Sequence, residues 1–422
     1  MTAVDSPLVH EVRALFTLDP ETVQNPYPLY ERLRAEAPVL QYDETTVIVS
    51  SYAEARVIYL DHARFPVATE RGVRFAGKLA LLSDEERRLH QESLDFEKLF
   101  STNRNGADHR RVRGAAQRAF TPRRVAQLRT MIDETCDELL REYDGNEPAD
   151  FSEFASRLPL YVIMNMLGVP REEAERLKQW SDELNLPRTV LRPEAVRTAH
   201  QALTNFRAYV ADLVDHHRRT GRGDGLVADL LGAEQDNRVS DEEVVATFVH
   251  FLFAGHETTS DLLGNLLHAM LRHPDQWARV KADPSLVDGA VEEVLRWDPS
   301  VQFFQRVAAP GAVIAGAEIP EGSFVIMLNA AANRDAATFR DPDVYDVSRR
   351  PNEHLTFGHG IHFCIGAPVA RLEAQIALTA IARHYPEVRC AVDLDELRIV
   401  PNISLRGYGH FPVVLGRRSE RA

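Results

Sequence analysis

From residue 110 to about 271, apolar residues recur mostly three and four positions apart, as at Leu128, Ile132, Cys136, Leu139 and Leu140. That spacing is the buried stripe of an amphipathic helix. Pro122, Gly145 and Pro170 interrupt it, so the span is predicted to be a series of helices. Ahead of it, Asn25-Pro26-Tyr27-Pro28 leads into Leu29, Leu33 and Ala37, and residues 39–41 with 46–49 read as a short hairpin. After Trp297 come short strands, 312–314 and 323–328, then proline-bearing loops and one more helix over 367–385. The pattern predicts a mainly α fold with minor β structure at both ends. No repeat, linker or low-complexity tract marks a boundary, so a single domain over 1–422 is expected, although roughly 150 residues per domain would allow more.

The most apolar stretch, 244–271, is cut by His250, His256, Glu257 and Asp261, which a bilayer-spanning helix would not tolerate cheaply. Residues 1–20 mix Asp5, Glu11, Arg13 and Asp19 among apolar residues and lack the apolar core of a signal peptide. Composition is ordinary for a globular chain, at 44% hydrophobic and 27% charged, with a net charge of −14. An acidic balance argues against a general nucleic-acid binder. Three cysteines, Cys136, Cys364 and Cys390, form neither a disulfide framework nor a zinc-ligand spacing, so a reducing, cytoplasmic location with no membrane association is expected.

The most informative segment is Phe357-Gly358-His359-Gly360-Ile361-His362-Phe363-Cys364-Ile365-Gly366, followed by Ala367, Pro368 and a helical pattern. The glycines permit positive φ and let backbone approach a bulky flat partner, and Pro368 suits a first helical turn. A cysteine beside a helix N-terminus is favoured as thiolate, and a thiolate binds a soft or borderline metal. An isolated cysteine is more often a buried structural residue. The ten-residue pattern reverses that preference for Cys364, whereas Cys136 in an apolar stripe and Cys390 after the last helix read as structural.

This segment resembles the haem-thiolate loop of the cytochromes P450, soluble bacterial class I type. The resemblance implies the single-domain P450 fold, with haem b between the long helix and the helix after Cys364. It makes Cys364 the axial iron ligand, places Phe357 near its sulfur, sends His362 to a haem propionate and counts Gly366 in the haem cradle. His109 and Arg113, four apart on a helix face, and Arg306 in a strand-like segment match positions that bind propionates.

A second element, Ala254-Gly255-His256-Glu257-Thr258-Thr259, puts a glycine and four polar residues inside the longest helical run. It reads as a locally opened helix whose Glu257 and Thr258 hold water and relay protons. It resembles the acid and alcohol pair that supplies protons for dioxygen cleavage in the family. The opening His256-Glu257 also suggests a zinc-protease motif, but Ser260 stands where the second histidine ligand is needed. Third, the spacing of Glu293 and Arg296 puts both on one helix face, and the pair resembles the structural pair of the P450 K helix. Where relatives place an arginine in the meander this chain reads Pro342-Asp343-Val344-Tyr345, leaving Arg349 or Arg350 as the third partner.

The reaction implied is monooxygenation of a hydrophobic small molecule by hydroxylation, epoxidation or O-dealkylation, with dioxygen and electrons from a separate ferredoxin and NAD(P)H ferredoxin reductase. Secondary metabolism is the implied setting. A peroxygenase or dehydratase, or a non-catalytic haem sensor, is the alternative, and neither needs the Glu257/Thr258 pair. By family position the substrate pocket is lined by residues 64–103 and 158–192, by His250, Phe253 and Ala254, by Gln302, Phe303 and Phe304, and by 403–405 including Ile403. Finally, Arg104, Arg110, Arg111, Arg113, Arg118, Arg123, Arg124 and Arg129 face one acid, Asp108, in a chain that is acidic as a whole. Arg111 and Arg118 lie opposite the His109/Arg113 face, which suits steering of an acidic electron donor.

Overall fold

The computed structural model describes residues 6–67, 82–143, 145–189, 192–221, 225–236 and 238–419. In chain order the helices are α1 (Pro7–Phe16), α2 (Pro20–Gln24), α3 (Tyr27–Glu36), α4 (Tyr52–Leu60), α5 (Asp84–Glu97), α6 (Gly106–Gln117), α7 (Pro122–Arg141) and α8 (Phe151–Met166). They continue with α9 (Ala174–Thr189), α10 (Pro193–Thr220), α11 (Leu226–Gln235), α12 (Asp241–Arg272), α13 (Pro274–Ala282), α14 (Val287–Trp297), α15 (Asn329–Ala332) and α16 (Ala367–His384). The strands are β1 (Val39–Asp43), β2 (Thr46–Val49), β3 (Ala149–Asp150), β4 (Phe304–Val307), β5 (Val313–Ile314), β6 (Ala317–Glu318), β7 (Phe324–Met327), β8 (Arg389–Cys390) and β9 (Pro412–Val414).

Two compact units emerge. One comprises Met1–Pro66, Arg129–Pro159 and Glu257–Ala422; the other comprises Val67–Leu128 and Leu160–His256. The first holds every named strand. Its main sheet runs β1-β2-β7-β4, with β2 and β7 parallel and the outer pairs antiparallel. All four residues of β2 are buried, as expected for a strand paired on both edges inside a core. Leu40, Ile48, Phe303 and Ile326 join α1 and α3 in one apolar cluster, while Val47, Val49, Val325 and Met327 face a second one with Tyr59 and Phe339. This alternation is the period-two signature of a sheet packed on both faces. A three-stranded sheet, β3-β9-β8, and the β5-β6 hairpin complete the unit.

Among its described residues the second unit is helical, built on α5, α6, α9, α10 and α11 with parts of α7, α8 and α12. The hairpin at 39–49, the strands near 313 and 324 and the last helix stand where the pattern put them. Helices α1, α2, α4, α5, α13 and α15 are additional. α5 buries only Glu86 and Phe96 and shows no apolar stripe; a Ser83/Glu86 capping box starts it. No helix among the described residues is long and apolar enough to cross a membrane.

Candidate functional site

In the first unit the segment before α16 is wound tightly. Gly358 and Gly360 take φ of +71° and +73°, and a Cβ on Gly360 would come within 2.8 Å of the Tyr59 carbonyl oxygen. Glycine is required there both by conformation and by space. A one-turn 3-10 helix, Gly360–His362, follows, and the Cys364 N–H donates to the Phe357 carbonyl at 2.9 Å. Gly366 is the N-cap of α16, its carbonyl accepting from Val369 and Ala370, and an added Cβ would sit 3.9 Å from Cys364 Sγ. The sulfur therefore lies two residues ahead of a helix N-cap, beside a position without a side chain.

Cys364 is half-buried and Phe363 beside it is 38% exposed. The other cysteines differ. Burial pushes the Cys136 and Cys390 thiols up, and Cys390 Sγ donates to the Pro412 carbonyl.

The loop is braced from behind. Glu292 on α14 receives two hydrogen bonds from Arg371 on α16, at 2.6 and 2.9 Å, and approaches His354 Nε2 at 3.2 Å, while the Arg371 guanidinium stacks 4.6 Å over Phe357. Burial raises the Glu292 pKa, but the bonds from His354 and Arg371 outweigh it and hold it at about 2. Sequence reasoning missed this group; its only sequence signal is the doubled acid Glu292-Glu293. Next to it Glu293 and Arg296, both fully buried, pair at 2.8 Å. The third partner is Arg349, whose Nε donates to both Glu293 oxygens at 3.0 and 3.1 Å. Arg350 instead turns to the Arg349 carbonyl.

Arg306 stands on β4, buried, with Nη1 on the adjacent Gln305 carbonyl and its guanidinium over the Tyr59 ring. Burial pushes its pKa down, and among the described residues no carboxylate pairs with it. Phe304 packs edge-on against Tyr59 and lies 3.8 Å from the Cβ direction of Gly358. The structure thus brings Arg306, Phe304, Tyr59 and the glycine loop together. Gln302 is different: its amide accepts from Tyr30 and donates to the Pro299 carbonyl, so its side chain is committed to the core and not to a pocket. Phe303 and Ile403 belong to the same core cluster. Glu257 and Thr258 sit half-buried on α12.

In the second unit, α6 carries His109, buried, and Arg113 one turn later. His250 packs edge-on to Phe100 with ring centres 4.6 Å apart, and Phe253 and Ala254 keep accessible surface within a helix otherwise largely buried. The expected opening of the helix is not found: α12 runs unbroken for 32 residues. Gly255 serves packing, since a Cβ there would press 3.1 Å against Ile163 Cγ1. His256 is buried on the Leu252 carbonyl, and burial keeps its imidazole neutral. Of the variable segments, residues 68–81 and 190–191 lie outside the described residues.

Arg111 is not the free charge expected. It donates to Glu243 at 2.6 and 2.7 Å and to the Arg238 carbonyl, with Asp108 and Arg104 in the same cluster. Its hydrogen bonds hold the Glu243 pKa at about 2. Arg110, Arg118, Arg123 and Arg124 are exposed, and no ion pair engages them among the described residues.

A mainly helical chain with a glycine-framed cysteine ahead of a helix, braced by buried ion pairs, is the architecture of a haem-thiolate protein. The cytochrome P450 family model matches residues 80–389, and the chain belongs to that family. It is 36% identical over 403 residues to the vitamin D(3) 25-hydroxylase of Pseudonocardia autotrophica, covering 94% of this chain and 95% of that one. It is 33% identical over 408 residues to the 6-deoxyerythronolide B hydroxylase of Saccharopolyspora erythraea, covering 92% and 96%. The structure of P450BioI in complex with hexadec-9Z-enoic acid ligated acyl carrier protein superposes with a TM-score of 0.84 at 33% identity, covering 93% of this chain and 98% of that one.

The protein is therefore a P450 monooxygenase, its cofactor is haem with the cysteine thiolate of the family, and it acts with dioxygen and a redox partner on a hydrophobic substrate. The residues present fit the group. Arg306 is a buried guanidinium with no carboxylate partner among the described residues, which is costly unless a ligand supplies an anion, and a propionate is such an anion. The bare Gly366 position beside Cys364 Sγ leaves room where a flat ring must approach.

Proposed function

We propose that Cys364 is the thiolate ligand of haem iron in a hydroxylating, epoxidising or O-dealkylating monooxygenase forming one P450 domain over 1–422, located in the cytoplasm and fed by ferredoxin and its NAD(P)H reductase. The observation that carries this reading is the contrast among the cysteines: Cys364 alone combines left-handed glycines, a helix N-terminus and an open flank. The single-domain reading is supported by three of the four unit boundaries, which fall inside α7, α8 and α12.

His109, Arg113, Arg306 and His362 would hold the propionates, and Phe357, pinned by Arg371, would pack beside the sulfur. When bound, haem supplies activation of dioxygen with two electrons, one oxygen atom going to substrate and one to water. The chain's own part is to bind, orient and protonate. The Cys364 N–H, spent on the Phe357 carbonyl, fixes the backbone that carries the sulfur. Glu257 and Thr258 would hold a water and pass protons from the half-buried face of α12. His250, Phe253, Ala254 and Phe304 would present apolar surface to the substrate and exclude water around it. Relatives named for vitamin D(3), for 6-deoxyerythronolide B and for a complex with hexadec-9Z-enoic acid ligated acyl carrier protein support a large apolar substrate as the class to screen.

The reduced carbon monoxide complex is expected to show the strongly red-shifted Soret band of thiolate ligation. Cys364→Ser should lose it while Cys136→Ser and Cys390→Ser keep it. Retention of the band in the Cys364 variant would overturn the assignment.

A further inference from the structure

Beyond Glu257, α12 carries a second carboxyl that the reading above leaves without a task. Asp261 stands four residues after Glu257, one turn along the same face. Among the described residues no hydrogen bond and no ion pair reaches its carboxyl, although only part of the residue is accessible. A carboxyl so placed is normally bonded or paired. The chain makes room for this one: a Cβ on Gly407 would fall 1.9 Å from Asp261 Oδ1, so a side chain there would displace it.

One turn further, Asn265 donates to the Asp298 and Arg406 carbonyls at 3.0 Å, but its Oδ1 is buried with no partner among the described residues. Polar groups thus recur every fourth residue along a helix whose other neighbours there, Leu262, Leu263, Leu266 and Leu267, are buried. Burial, reinforced by the Glu257 carboxylate, pushes the Asp261 pKa well above the usual carboxylate range, which favours its protonated form.

The other titratable groups on the packed elements do not alter this. They are His268 on α12, and Arg406 and Tyr408 on the segment beside Gly407. Arg406 is committed to Asp298 at 2.7 Å, burial lowers the His268 pKa to about 4, and burial holds the Tyr408 phenol neutral. None offers Asp261 a counter-charge.

We propose that Asp261 reprotonates Glu257: after Glu257 has given up its proton, the Asp261 carboxylic acid passes its own to the Glu257 carboxylate, directly or through one water, and then takes a proton from hydronium in solvent. The exchange conserves charge and needs no other reactant. It rests on the relay role proposed for Glu257, and Asp261 acts through that residue without touching the reacting atoms.

The test uses the haem-loaded protein with Asp261→Asn and Asp261→Glu, beside Glu257→Gln and Thr258→Ala. In the infrared spectrum of the resting ferric protein, a protonated-carboxyl band sensitive to deuterium exchange is expected in wild type. It should vanish from the Asp261→Asn difference spectrum and return in Asp261→Glu, while the buried acid Glu373 keeps its own band. In turnover with the fatty-acid or steroid probe giving the largest spin-state change, Asp261→Asn is expected to yield at least about tenfold less product per NAD(P)H, with peroxide in its place. Its coupling should improve as pH falls between about 8 and 6, where hydronium substitutes for the missing acid, while wild type stays flat. Asp261→Glu should restore wild-type behaviour.

Wild-type coupling in Asp261→Asn across that range, with Glu257→Gln and Thr258→Ala uncoupled, overturns this proposal alone. Wild-type coupling in all of them overturns the Glu257 relay as well. Weakened binding of amine-bearing ligands with unchanged coupling would make Asp261 an anchor for a cationic substrate and would overturn the relay.

Discussion

An alanine at position 360 meets two obstacles that an alanine at 366 does not. Gly360 has φ of +73° and its Cβ would fall 2.8 Å from a backbone oxygen, which cannot swing aside as a side chain can. Gly366 has φ of −81° and a Cβ there meets Cys364 Sγ at ordinary contact distance. The left-handed penalty alone is about 1–2 kcal/mol. Gly360→Ala is therefore expected to lower the denaturation midpoint by more than that penalty and to reduce haem content on purification. Gly366→Ala should stay within about 0.5 kcal/mol of wild type. Equal midpoints for the two variants in urea titration would show that the loop accommodates a side chain at 360. Both glycines were singled out in the sequence by their flanking of Cys364. What the sequence could not supply is the reason at 360, because the obstructing Tyr59 carbonyl lies some three hundred residues away along the chain.

At the scale of elements, α14 is tied to the chain that follows it by charge inside the protein. Glu293 accepts from Arg296, Arg349, the Asp346 N–H and Asn352. Arg296 reaches the Asn333, Pro342 and Val344 carbonyls. Removing Glu293 would leave two enclosed guanidinium groups facing each other, and breaking such a pair from one side costs about 3–5 kcal/mol. Glu293→Ala is expected to be poorly soluble or haem-free. Arg349→Ala should be destabilised by a similar order and Arg350→Ala much less, measured as the shift in thermal midpoint; the reverse order would refute the assignment of Arg349. The Glu293–Arg296 spacing was readable because a helix repeats locally. Arg349 was readable only as one of two candidates, since it arrives through a loop without periodicity. The Glu292, His354 and Arg371 brace was not readable, because its members come from three separate elements and no local pattern joins them. α5 escaped for the opposite reason: it is polar along most of its length, so the cap that starts it and not an apolar stripe marks it.

For the whole molecule the question is how an acidic chain receives electrons. Its net charge is −14, yet α6 and the start of α7 present Arg110, Arg118, Arg123 and Arg124 without an ion pair among the described residues. Exposed charges of one sign steer an oppositely charged partner within about a Debye length, roughly 8 to 10 Å at moderate salt. Arg111 cannot be counted with them, because Glu243 and Asp108 already occupy it. Reversing it would set a new carboxylate beside two others and damage the fold, so it is a poor probe of docking. Arg118→Glu and the double variant Arg123→Glu with Arg124→Glu alter solvated side chains only, and surface changes of that kind usually cost less than about 0.5 kcal/mol. They are expected to leave the haem spectrum, the denaturation midpoint and dithionite reduction unchanged. Reduction by an acidic ferredoxin should slow in these variants and should lose much of its dependence on salt, whereas wild type slows steeply as salt rises. Stopped-flow reduction under carbon monoxide measures both quantities. If the variants kept the wild-type rate and salt dependence, this arginine group would not be the docking face, and the electron donor would have to approach over a different surface.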